Sequence, residues 1–250
     1  MTTARSISLL AAGITAALCA LTADAYEFQL DQGGSPQRVE GTVQYSLNQQ
    51  GSRDVPYAQL LPAVHAAFAT WQDASGGRLS FQDVGPTQLG PPGPDEARLG
   101  IPVTISWEED EWDYEGDDQA VAILIEDPDT HVIVRADIVF NGVTHHWAIL
   151  ADGQPHPGAD DVQNTLTHEI GHLVGFGHTQ DRTSTMLPST FPGDVAGRLL
   201  DTQDVAGIAA LYAEAASQEQ AAGCSTKPGG PSSALGLLLL AGLLRRRRVA

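Results

Sequence analysis

The 250 residues carry 13 Lys and Arg against 31 Asp and Glu, a net charge of −18, with two cysteines. Between residues 26 and 223 the imbalance sharpens to seven Arg and no Lys against 30 Asp and Glu, or −23. Nucleic acid is a poor partner for such a chain, which instead favours neutral or cationic substrates. With Cys19 and Cys224 at opposite ends, no disulfide framework can brace the body between them.

Residues 1–25 read as a secretory signal peptide. Arg5 supplies the early positive charge, Ile7 to Leu21 the apolar run, and Ala23-Asp24-Ala25 a small-residue cleavage site before Tyr26. Cys19 follows Leu18 rather than a small residue, which argues against lipoprotein cleavage there. About 190 residues then remain for one domain, residues 26–215, enough to bury a core.

Val39 to Leu47 alternates apolar and polar residues, the pattern of a half-buried strand. Tyr57, Leu60, Leu61, Val64, Ala67, Phe68 and Trp71 recur at helical spacing, and Gly76-Gly77 closes that element. The helix begins near Pro56 or just before Pro62, so that Pro62 falls in a first turn or marks a kink. Strands are predicted at Leu79 to Val84, Ile101 to Trp107, Val121 to Ile125 and Val132 to Phe140, with a Pro/Gly loop from Gly85 to Pro94. The loop Glu108 to Asp118 concentrates carboxylates; it suits a solvated acidic surface better than a Ca²⁺ site, although hard cations do seek several oxygens.

Asn164 to Val174 is a helix with Leu166, Ile170 and Leu173 towards the core. His168 and His172, one turn plus a fraction apart, leave it on a common face and can meet one tetrahedral Zn²⁺, with Glu169 beside them. Gly175 can take the left-handed conformation that ends the helix and lets the chain bring His178 back as a third ligand. Three neutral imidazoles leave a fourth position for a water whose pKa falls towards about 7. Chance assembly of these five fixed residues is on the order of 10⁻⁵ to 10⁻⁴ per chain, far rarer than a bare H-E-x-x-H. A closed structural zinc site would want a fourth protein ligand and has no use for Glu169. Further on lie Ser184-Thr185-Met186-Leu187-Pro188 and a helix over Leu200 to Tyr212, which Asp201 caps and whose Val205, Ile208, Ala209 and Tyr212 form one apolar stripe.

The run His168 to His178 resembles the metzincin signature. Met186, the only methionine besides Met1, stands where that family has its methionine turn. Thr179 after the third histidine, the absence of Tyr after Met186, and the closing helix together resemble the matrixin branch. The resemblance implies an α+β fold: a twisted, mostly parallel sheet, an active-site helix and a small C-terminal subdomain ending in a helix. It also implies a zinc endopeptidase acting on polypeptides, with one catalytic Zn²⁺ on His168, His172 and His178, Glu169 as general base, and Met186 as an apolar floor. Leu187, Pro188 and Phe191 would wall the pocket for the residue following the cut, with an apolar preference. The strand Val132 to Phe140 would be the cleft edge on which substrate adds as a strand. His131, His145, His146 and His156 do not reproduce the spacing of a second, structural zinc, so no ligands are assigned. No cysteine lies between Tyr26 and the first strand to hold the zinc latent.

Residues 216–233 turn polar and Gly/Pro-rich, as a flexible linker does. Residues 234–250 hold an apolar run, Ala234 to Leu244, too short for the about 20 residues that span a bilayer, followed by Arg245 to Arg248. Gly223-Cys224, the short apolar run and the Arg cluster resemble the C-terminal sorting tail of myxobacterial surface proteins. That resemblance implies recognition by sorting machinery, processing near Cys224 and attachment at the cell surface, with no spanning segment in the mature protein. The rival reading is a surface binding module on a metzincin scaffold without turnover; a lost Glu169 or histidine would favour it, and none is lost.

Overall fold

In a computed structural model, the described residues are 26–30, 34, 36–92, 101–114, 116–127, 129–130, 132–152, 158–223 and 245–249. The leader, Cys224, the apolar run Ala234 to Leu244, His131 and His156 lie outside them.

The sheet contains β1 (Thr42–Leu47), β2 (Ser80–Asp83), β3 (Val103–Glu108), β4 (Ala120–Glu126), β5 (Ile133–Asn141) and, far along the chain, β8 (Arg245–Val249). Its order is β2-β1-β3-β5-β4-β8. The first four of these strands pair in parallel, while β4 runs antiparallel to β5. A short parallel pair, β6 (Trp147–Ala148) with β7 (Asp160–Asp161), stands apart.

Two helices cover one face. The first, α1 (Tyr57–Ala74), buries Leu60, Ala63, Val64, Ala67, Phe68 and Trp71, the stripe expected from the sequence. Pro62 lies in its second turn, beyond the first turn expected for it. A proline there forgoes one backbone bond at a cost of about 3 kcal/mol, which the buried stripe offsets. The second, α2 (Val162–Leu173), packs on α1, and the Trp71 indole N–H donates to Thr167 O at 2.7 Å. Trp112 and Tyr114 cover Val121, Ile123 and Val139 on the opposite face.

The expected cleft edge requires correction. Strand β5, holding Ala136 to Asn141, lies inside the sheet between β3 and β4, and β4 is the outer strand of the pair. The chain turns at Asp127, whose N–H donates to Val132 O at 2.9 Å, and folds β4 outward. All seven residues of β4 are buried, so its unbroken apolar run reads as an interior strand. The backbone of β8 lies antiparallel along its outer edge, from Glu126↔Arg245 to Ala122↔Val249.

The closing helix, α3 (Thr202–Gly223), continues past the expected boundary at Ala215. Asp201 Oδ1 accepts from the Gln203 and Asp204 amides as foreseen. The apolar stripe differs: Val205 is 40% exposed, and the core contacts come from Ile208, Leu211 and Tyr212. Asp204 takes the inner position that the period would give to an apolar residue.

At the start of α2, Asp161 accepts from the Asn164 amide at 2.8 Å and pairs with the Arg198 Nη2 at 2.5 Å through a side chain that is 0% exposed. It also accepts from the Leu150 amide at 3.0 Å. Asp161→Ala removes a helix cap and the buried anionic partner of a guanidinium that keeps Asp152 and Leu150 O, so a loss of about 2 to 3 kcal/mol is expected. Urea unfolding measures it. A loss no larger than that of the Asp201→Ala cap, about 1 kcal/mol, would show the ion pair contributes nothing.

Candidate active site

Helix α2 presents His168, Glu169 and His172, and the turn after it brings His178 back to them. Gly175 has φ +108°, the left-handed backbone expected of it. Its N–H donates to His172 O at 3.1 Å, and the Phe176 N–H donates to Gly171 O at 2.9 Å, closing the helix end.

Each ring on the helix is oriented by its far nitrogen. His168 Nδ1 donates to Thr185 O at 2.7 Å, and His172 Nδ1 donates to Phe176 O at 2.9 Å. Both tautomers therefore leave a lone pair on Nε2. His178 Nε2 stands 3.1 Å from His168 Nε2 and 3.2 Å from His172 Nε2. Three nitrogens on a tetrahedral zinc would stand about 3.3 Å apart, so the donor set fits that ion. Among the described residues it is also the one group of three or more His, Cys, Asp or Glu side chains that can hold a metal.

Burial keeps these rings neutral. It pushes His168 down to about 4, with the His178 ring adding to the effect. His172 is lowered further for the same first reason, and His178 less so. Neutral imidazole is the form that binds metal.

Glu169 is 3% exposed, and burial raises its carboxyl well above the usual range, Asp118 contributing further. The Ala122 backbone amide on β4 acts the other way. Its Oε2 has no hydrogen-bond partner. A buried carboxylate oxygen without a donor is costly, and a cation held by the adjacent imidazoles offsets that cost.

Met186 lies under α2, 1% exposed, so close that a Cβ on Gly171 would stand 2.2 Å from its sulfur. The Met turn is tied down by Asp204, a residue with no role expected from the sequence. Asp204 accepts from Ser184 Oγ at 2.6 Å and from the Thr185 amide at 2.9 Å. It also reaches back to the Asp201 amide at 3.2 Å, the reciprocal arrangement of a capping box. The spacing Asp201-x-x-Asp204 was the available signal. Thr185 in turn orients His168, so the closing helix reaches the metal site through one loop.

Gln29 is a second such residue, 143 positions from His172. Its amide donates to Phe176 O at 3.0 Å and to His172 O at 3.3 Å, bracing the turn that carries His178. No local sequence pattern marks it.

Beside Glu169 lies an open cleft. Leu187 and Pro188 line it, and Phe191 does not: its side chain is 79% exposed, and Thr190 and Pro192 are among the lining residues. Asp117, Asp118, His145 and Asp160 line it too. His145 is 2.7 Å from Asp160 and 3.6 Å from Asp117, while His146 is 3.4 Å from Asp54.

A family model described as Matrixin matches residues 37–213. The Hatching enzyme of Paracentrotus lividus is 27% identical over 172 residues, 69% of this chain and 24% of its own. Metalloendoproteinase 1-MMP of Arabidopsis thaliana is 43% identical over 54 residues, 22% of this chain and 15% of its own. Matrilysin of Homo sapiens is 41% identical over 46 residues, 18% and 17% of the two chains. The chain thus covers no more than 24% of the length of these relatives. With the family match running from β1 through α3 and enclosing every residue of the histidine site, the chain belongs to the matrixin family.

Proposed function

We propose that this protein is a zinc-dependent endopeptidase, exported through its leader and held at the cell surface through its C-terminal tail. The observation that carries the catalytic part is Glu169 Oε2, buried and unpartnered beside three converging imidazole nitrogens. Bound zinc lowers the pKa of a coordinated water towards about 7 and polarises a carbonyl. Glu169 accepts the water's proton and passes it to the departing amine. The Ala122 amide holds the carboxylate in place, and Leu187, Pro188 and Met186 exclude bulk water around it. Substrate adds to the outer edge of β4, where β8 lies, so the two compete for the same backbone groups.

Export and attachment rest on residues 1–25 and on the Gly223-Cys224 tail, and no helix among the described residues is long and apolar enough to cross a membrane. The binding-module alternative has no observation in its favour while Glu169 and all three histidines stand in place.

The test is cleavage of a quenched peptide library by the full chain and by residues 26–223, after chelation and after zinc is restored. Activity lost to chelator and regained with one zinc per chain is expected, and it should rise when residues 224–250 are absent. Stoichiometric zinc with no cleavage by either form would shift the reading to a binding module.

A further inference from the structure

The strand β8 shows how an added chain lies on the active-site edge. It runs antiparallel to β4 and its Val249 stops opposite Ala122, the residue whose amide faces Glu169. A polypeptide lying the same way passes Ala122 and continues towards Ala120, where the cleft opens. That cleft therefore receives the side chain that follows the scissile bond. This direction comes from the pairing geometry.

Its lining mixes two chemistries. Leu187, Pro188 and Pro192 in its lining suit the methylene stem of a long residue. Asp117, Asp118 and Asp160 line it too. Two of these carboxylates are already engaged: Asp160 accepts from Gln119 Nε2 at 2.6 Å and from His145 Nδ1 at 2.7 Å, and Asp117 accepts from Thr144 Oγ1 at 2.5 Å. Asp118 has no side-chain hydrogen bond shown among the described residues, and it is partly buried. Even a protonated His145 would set one positive charge against three carboxylates. In addition, Thr165 Oγ1, on a residue 4% exposed in the cleft wall, has no partner. A net negative cleft with an unengaged carboxylate and a spare hydroxyl lacks a multidonor cation.

We propose that the cleft beside Glu169 selects Arg or Lys at the position following the cut, with Asp118 as the specificity-determining carboxylate. This rests on the peptidase reading and replaces the apolar preference expected from Leu187 and Pro188. An alkyl side chain would leave Asp118 desolvated without a counter-charge, whereas a guanidinium offers five donors in a planar fork. The body's charge of −23 over residues 26–223 draws cationic polypeptides towards the same opening.

The test uses the zinc-loaded full chain and four peptides that differ only after the scissile bond, as Arg, Lys, Leu or Glu, with cut sites fixed by mass spectrometry. Kcat/KM for the Arg peptide should exceed that for Leu by about tenfold or more, the scale of a charge-assisted hydrogen bond, with Glu slowest. Asp118→Asn should shrink the Arg:Leu ratio towards unity, and Asp118→Lys should bring Glu above Arg. Because each ratio is taken within one preparation, a partly folded variant does not distort it. A wild-type preference for Leu, or ratios unmoved by both substitutions, overturns the proposal. Binding of the same peptides to the zinc-loaded Glu169→Gln chain, measured by calorimetry, separates the two readings. If nothing is cleaved but Arg binds about tenfold tighter than Leu and Asp118→Asn abolishes the difference, the peptidase reading alone fails. Equal affinities there overturn the cleft assignment.

Discussion

Glu169→Gln should lower kcat/KM by about 10⁴-fold while the protein still binds one zinc, because the change removes a proton acceptor and nothing else of size. Glutamine keeps the length and one carbonyl oxygen, so the Ala122 amide still has an acceptor. The three imidazoles are oriented by Thr185 O, Phe176 O and the helix end, none of which involves Glu169. Metal affinity should therefore move little. Folding should not suffer either: burial already raises the Glu169 carboxyl well above its usual range and Oε2 has no donor, so a neutral amide of the same size costs little more to bury. The readouts are turnover on the best peptide, zinc per chain, and the thermal midpoint with and without metal. Residual activity within tenfold of the wild type would mean that another group takes the proton, and the assignment of Glu169 would be wrong. Loss of zinc together with activity would instead make Glu169 a structural support for the ligands.

What could be read from the sequence, and what could not, follows from how far each interaction reaches along the chain. The histidine run was legible because helix geometry fixes His168, Glu169 and His172 within one turn, and Gly175 announces the reversal that returns His178. Its geometric partners were not legible. Thr185, Gln29 and Asp204 act through backbone atoms or from distant segments, and their contacts have no local period. The position of β4 was hidden for a different reason. A strand covered by α2, by Trp112 and Tyr114, and by β8 is apolar from Ala120 to Ile125, and burial pattern alone does not tell an outer strand from an inner one. Phe191 was misplaced because three residues of loop decide which of Phe191 and Pro192 turns inward, and loops carry no periodicity to settle it.

The turn that returns His178 makes the strongest stability prediction. An added Cβ at Gly175 would stand 2.1 Å from Gln37 O, a backbone atom that cannot rotate away, and 3.1 Å from Leu211 Cδ2. It would also force a side chain onto a backbone at φ +108°. Two costs then add: about 1 to 3 kcal/mol for the strained backbone and about 1 to 3 kcal/mol for the overlap. Gly175→Ala should thus lower stability by about 3 kcal/mol or more, a fall of roughly 6 to 12 °C in midpoint for a domain of this size. Gly77→Ala separates the two contributions, since Gly77 has φ +84° with nothing within 4 Å of the added atom. It should lose only the smaller, backbone share. The overlap at Gly175 pushes the turn away from the segment that carries Gln29 and Gln37, and His178 moves with it. Zinc affinity should consequently fall in Gly175→Ala and stay unchanged in Gly77→Ala, as measured by competition with a chelator. Equal melting losses in the two variants, with equal zinc affinity, would show that the crossing of Gln37 over the turn is not what holds the third ligand.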